Sequence, residues 1–136
     1  MQVLVDTPVW SLAFRKKSSN HQDDIIVQKL SALIDTGKAL LIGSIRQELL
    51  SGIRDESTFE TLRVIMSAFP DTTILTSDYE RAAQFFNQCR ANGIQGSHTD
   101  FLMASVCHRL KISLFTLDQD FKHYSKYIPL HLMKIT

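Results

Sequence analysis

The sequence predicts an α/β protein in which a central parallel sheet of about four or five strands carries helices on both faces. Three observations support this. Short apolar runs recur at 2–6, 39–42, 73–75, 112–117 and 130–135. Stretches with apolar residues at helical spacing separate them, and strands that alternate with helices pair in parallel through right-handed crossovers. The chain of 136 residues has no repeat, low-complexity tract or linker, which suits one domain, residues 1–136, with a real core.

The first run, 2–6, reads as a buried strand. Thr7 and Pro8 then look like a helix cap followed by proline in the first turn, with Trp10, Leu12, Ala13 and Phe14 giving that helix an apolar side. After a polar loop from Arg15 to Asn20, Asp23 or Asp24 opens a helix striped by Ile26, Leu30, Leu33 and Ile34, and Gly37 stops it. Residues 39–42 form a second strand. Ser44 and Gln47 have the spacing of a capping box, and Gly52 ends or bends the helix they begin. Phe59, Leu62, Ile65, Met66 and Phe69 stripe the next helix before Pro70, and 73–75 is a short third strand. A second capping box, Ser77 to Glu80, starts a helix striped by Tyr79, Ala82, Ala83 and Phe86 and ending at Gly93. Residues 101–110 are helical, with Phe101, Ala104 and His108 on one side. A strand at 112–117, a short helix at 121–127 and a last strand at 130–135 complete the chain.

Composition excludes several classes. A hydrophobic share of 44% with 21% charged residues is ordinary for a globular domain, and no apolar run approaches the ~20 residues of a membrane span. The start, Met1 to Asp6, lacks the basic and small-residue features of a signal peptide, so a cytoplasmic location is expected. Cys89 and Cys107 lie far apart and read as buried reduced thiols. The five histidines show no zinc-ligand spacing. Net charge is +1, so nucleic acid would be held by a local patch. Candidates are Arg15, Lys16 and Lys17, Arg46 with Arg54, and Arg109 with Lys111.

The acids are the chemical signal. In open α/β sheets ligands bind beyond the carboxyl ends of the strands, and Asp6 and Asp118 stand at two such ends. An Asx turn or cap is the ordinary use of an aspartate after a strand, but Thr7 already offers a capping hydroxyl, which leaves Asp6 surplus. Glu48 shares or borders the apolar face set by Ile45 and Leu49, where a carboxylate is costly unless paired or metal-bound. Its ordinary partner would be Arg46 or Arg54. Asp100 begins a helix, where the dipole favours an acid, with Thr99 available as the cap. Asp118 and Asp120 follow the fourth strand, and one of them can cap the short helix beyond. Acids gathered at one sheet edge repel each other without a cation, and Mg2+ or Mn2+, which prefer oxygen ligands, would relieve that. No GxSxG, Walker or GxGxxG motif offers other chemistry.

Four segments carry a resemblance that covers essentially the whole chain. They are Val3 to Trp10, Ser44 to Leu49 with its central glutamate, Thr99 to Ala104, and Thr116 to Phe121. In order and spacing they resemble the PIN-domain family, and specifically the VapC-type ribonuclease toxins of toxin–antitoxin pairs. Pro8 departs from the usual small polar or aliphatic residue. The resemblance implies a PIN-like three-layer sandwich and metal-dependent endonucleolytic cleavage of RNA, often transfer or ribosomal RNA. It implies a homodimer and a small antitoxin partner that covers or enters the acidic site. By resemblance Asp6, Glu48, Asp100 and Asp118 hold the Mg2+ or Mn2+ and carry catalysis, with Asp120 a further candidate ligand. Thr7 and Thr116 would support these ligands with their hydroxyls.

Rival readings have sequence tests. An aspartyl-nucleophile phosphatase wants a second aspartate two residues after Asp6, and Pro8 stands there. A receiver-like phosphoacceptor domain wants a lysine at the end of a late strand, where the chain offers Leu117 and Asp118. A catalytically silent module of the same fold, serving binding or regulation, is opposed by the four intact acids. A housekeeping RNA-processing nuclease would differ from a toxin in lacking a cognate antitoxin.

Overall fold

The computed structural model describes residues 1–14 and 20–135. Strand β1 (Val3–Val5) lies between β2 (Ala39–Leu40) and β3 (Ser113–Phe115), and both pairings are parallel. Single parallel bridges, Leu41 with Asp71 and Leu114 with Leu132, add one rung each. Of the five runs expected as strands, 73–75 therefore contributes none, because its place is taken two residues earlier at Asp71. The run 130–135 shrinks to the rung at Leu132. Successive side chains of a strand point to opposite faces, yet Val3, Leu4 and Val5 are all buried. Both faces of the sheet are thus covered, as in other parallel sheets.

Seven helices supply the cover among the described residues: α1 (Thr7–Ala13), α2 (His21–Asp35), α3 (Gly43–Leu50), α4 (Glu56–Met66), α5 (Thr76–Ala91), α6 (His98–Leu110) and α7 (Asp120–Tyr124). One group packs α1 against α2 and α3, with α4 against α3. A second is the α5–α6 pair, with α6 against β3. Trp10 is fully buried in the first group, edge-on to Phe69 at 5.0 Å between ring centres, and its indole N–H donates to the Val5 carbonyl at 3.0 Å. That bond pins α1 to the end of β1.

Helix starts differ from the sequence expectation in instructive ways. Asp6, not Thr7, caps α1. Asn20 caps α2, leaving Asp23 and Asp24 in its first turn. Ser44 is inside α3, whose cap position is Ile42, and its hydroxyl is buried without a hydrogen-bond partner. Helix α5 begins after Leu75, whose N–H donates to Asp78 Oδ2 at 2.9 Å, so Ser77 is not the cap. Its buried side is Asp78, Ala82, Phe85 and Cys89, while Tyr79 is 58% exposed. Ser97, not Thr99, caps α6. For α1, α2, α5 and α6 a nearby side chain met the need first, whereas α3 starts without a side-chain cap. His108 is exposed, although its ring lies edge-on to Phe85.

Two arginines read as possible nucleic-acid contacts are structural. Arg46 donates from Nε to Asp71 at 2.8 Å, from Nη1 to the Met66 carbonyl at 2.8 Å, and from Nη2 to the Phe69 carbonyl. The guanidinium clamps the end of α4 to α3. Arg109 donates to both oxygens of Asp78, at 2.9 and 3.1 Å, and to the Thr73 carbonyl. Burial opposes the charge on Asp78, but Arg109 and the Leu75 N–H outweigh it and hold its pKa below the usual carboxylate value. Cys89 and Cys107 are free and buried, and burial pushes the Cys107 thiol up to about 12.

Candidate functional site

The ends of β1 and β3 are locked in register. Val5 faces Phe115, and the Asp6 N–H donates to the Phe115 carbonyl at 2.9 Å. The next residue on each strand, Asp6 and Thr116, therefore leave the sheet side by side. Thr116 Oγ1 donates to Asp6 Oδ2 at 2.8 Å and accepts the Asp118 N–H at 3.1 Å. Asp6 Oδ1 accepts the Thr7 N–H at 2.8 Å. The expected surplus of Asp6 is corrected here: one oxygen caps α1 and the other faces Thr116.

The other acids arrive from three elements. Helix α3 brings Glu48, whose Oε2 accepts a 2.7 Å hydrogen bond from the Thr7 hydroxyl. It pairs with neither Arg46 nor Arg54. Helix α6 brings Asp100 in its first turn, where its N–H donates to Ser97 Oγ at 3.1 Å and its Oδ2 accepts from the Tyr124 hydroxyl at 2.8 Å. The loop after β3 brings Asp118, whose Oδ1 accepts the Asp120 N–H at 2.9 Å and so shapes the start of α7. Asp120 is exposed in the first turn of that helix.

The charges act on one another. Burial raises the Asp6 pKa; hydrogen bonds from Thr116 and Thr7 oppose this, and the charges of Asp100 and Glu48 add to it. For Asp100, burial again raises the pKa, the bonds from Tyr124 and Ser97 oppose, and Asp118 adds. The Tyr124 hydroxyl is pushed up by burial, then by its bond to Asp100 and by the charges of Asp100, Asp120 and Asp118. Asp6, Glu48, Asp100, Asp118 and Asp120 thus share one electrostatic neighbourhood.

Uncharged donors hold every one of the four main acids, and none has a lysine or arginine within ion-pair distance among the described residues. Four carboxylates without a counter-charge fit a hard divalent cation. Among the described residues, however, no three acidic, histidine or cysteine side chains converge closely enough to hold an ion as placed. Gathering ligands around one requires side-chain rotation, for which the exposed Glu48 and Asp118 have room.

A cleft of about 310 Å3 borders Asp118 and is lined by Lys122 and Lys134. A larger one, about 670 Å3, lies at the far end of α6 around Arg109, Lys111 and His131, away from the acids. The acid chemistry, not cavity size, makes this edge the candidate site. Arg15, Lys16 and Lys17 lie outside the described residues. Tyr124, Lys122 and Lys134 were not singled out by sequence. A tyrosine in an apolar helix stripe reads as core, and lysines on a short helix and near a chain end read as solvated surface.

The sequence profile of the PIN domain matches residues 3–127. No curated protein sequence matches this chain significantly. Among solved structures, FitAcB from Neisseria gonorrhoeae is similar, with a TM-score of 0.79 at 16% identity over 98% of both chains. VapBC2 from Rickettsia felis, bound to a DNA fragment from their promoter, is similar at 0.77 and 16%, covering 98% of both chains. VapBC-1 from nontypeable Haemophilus influenzae scores 0.73 at 14% identity, over 99% of this chain and 98% of its own. At these identities the likeness establishes a shared fold.

Proposed function

Because the chain belongs to the PIN domain family, we propose that it is a Mg2+- or Mn2+-dependent endoribonuclease acting as the toxin of a toxin–antitoxin pair, with transfer or ribosomal RNA as substrate. The observation that supports this reading is that four carboxylates, each held by an uncharged donor, share one electrostatic neighbourhood. Asp71 and Asp78, by contrast, are each paired with an arginine.

In this reading Asp6, Glu48, Asp100 and Asp118 hold the ion, with Asp120 outside them. When bound, the ion activates water and stabilises the leaving oxygen of a phosphodiester. Uncharged donors orient the carboxylates and oppose the burial that raises the Asp6 and Asp100 pKa values. Thr116 fixes Asp6 and the Asp118 backbone together, and Thr7 fixes Glu48. Glu48, Asp118 and Asp120 are exposed, which suits access by a polymer. Lys122 and Lys134 beside Asp118 take a phosphate-contact role, with Arg46, which also holds Asp71, a further candidate. Arg15, Lys16 and Lys17 remain proposed RNA contacts.

The toxin assignment draws on the resemblance to VapC-type proteins and on the fold shared with chains of FitAcB and VapBC complexes. It carries with it a small cognate antitoxin, a homodimer and a cytoplasmic setting. No described helix is long and apolar enough to cross a membrane. Expressing the chain alone tests the proposal. Growth should stop, RNA fragments with defined ends should accumulate, and co-expression of the adjacent reading frame should restore growth. Unimpaired growth with intact RNA would contradict it.

A further inference from the structure

We infer that Tyr124 is a positioning residue for the acidic site, setting the orientation of Asp100 through its hydroxyl. The inference rests on the proposed metal-dependent function and adds a residue to it.

Tyr124 is 1% exposed. Its ring sits against Phe101 at 4.8 Å and edge-on to Phe121 at 5.2 Å between centres. These contacts fix where the hydroxyl can go, and it donates to Asp100 Oδ2 at 2.8 Å. Gly96 leaves the space. A Cβ there would fall on the Tyr124 hydroxyl, 2.7 Å from its Cζ and 2.9 Å from Phe101 Cε2. The loop before α6 is therefore shaped around this ring.

The chemistry of the donor matters. A lysine or arginine in this place would hold Asp100 but cancel its charge, weakening it as a ligand for a cation. A phenol holds one oxygen and leaves the negative charge in place. Groups that orient a metal's ligands in this way typically change metal affinity by about 10–100-fold when removed. Phenylalanine would fill the same space, so the ring packing does not explain the hydroxyl. A buried phenol needs a partner, and a purely structural role would make Asp100 only that partner.

Manganese titration into the full-length chain separates these roles. The wild type, Tyr124→Phe and Asp100→Asn would be compared by calorimetry, with melting in chelator and RNA cleavage measured alongside. Positioning predicts that Tyr124→Phe weakens manganese binding about tenfold, lowers kcat, leaves KM for RNA unchanged and melts close to wild type in chelator. Unchanged manganese affinity, with or without a drop in melting temperature, would overturn the inference while leaving the proposed function standing, provided that wild type binds manganese and Asp100→Asn does not. Failure of the wild type to bind manganese would remove both.

Discussion

Thr116 and Asp6, 110 positions apart in sequence, are joined by a 2.8 Å hydrogen bond from hydroxyl to carboxylate. The same hydroxyl accepts the Asp118 N–H. One side chain thus ties the acid after β1 to the acid after β3, and the parallel register of the two strands makes this possible.

Asp6→Asn should fold. The amide oxygen can still accept the Thr7 N–H, and its nitrogen can donate to Thr116. Because burial holds the Asp6 pKa up, the neutral variant should be at least as stable as wild type in chelator at neutral pH. Thermal melting checks this, and a marked loss of stability would mean that the carboxylate charge serves the fold.

Without metal, Asp6 and Asp100 should each cost stability as pH rises, in the opposite sense to Asp78. The folded pKa values of Asp6 and Asp100 are raised, Asp100 first by burial and then by Asp118. Their contribution is fully present below the unfolded carboxylate pKa and is lost as pH rises through the folded value. Asp100→Asn should remove its share of that loss. The gain is at most about 1 kcal/mol, since solvent screens a half-exposed carboxylate. Urea unfolding in chelator across the acidic to neutral range measures it, and a variant less stable than wild type at neutral pH would contradict the prediction.

Arg109→Ala should destabilise the fold by about 3 kcal/mol, because Asp78 is left as a buried, unpaired charge. Manganese affinity should not change, since this pair lies at the far end of α6. Urea unfolding and calorimetry together test it. A variant of wild-type stability with weakened RNA binding would return Arg109 to the nucleic-acid contacts.

Asp6 and Asp118 were legible in the sequence because they follow strands and Asp100 because it opens a helix, ends that show as changes in hydrophobic period, whereas Glu48 lies late in α3 and shows only as an acid beside an apolar face. The caps were not. Choosing Asp6 over Thr7, or Ser97 over Thr99, depends on backbone angles within one turn, which composition does not report. The run 73–75 forms no strand because the rung falls at Asp71 and the Leu75 N–H is taken by Asp78, and 130–135 is reduced to the rung at Leu132. The structural bonds of Arg46 were not legible because its acceptors are two backbone carbonyls and Asp71, 20 to 25 residues away. Tyr124 was missed because its hydroxyl matters only through Asp100, 24 positions away.

Asp118 and Asp120 should differ. Asp118 shares Thr116 with Asp6, whereas Asp120 is exposed in the first turn of α7. Asp118→Asn keeps an acceptor for the Asp120 N–H and so preserves the turn. Calorimetric titration of manganese should show a strong loss for Asp118→Asn and a smaller one for Asp120→Asn. Equal losses would make both direct ligands, and a larger loss at Asp120 would reverse the assignment.

Cleavage of RNA by the purified chain, in magnesium or manganese and in chelator, tests the central claim most directly. Wild type should cut at internal positions with metal and stop in chelator, and Asp6→Asn should be inactive under both conditions while still folded. Equal cleavage by wild type and Asp6→Asn in magnesium would contradict the account.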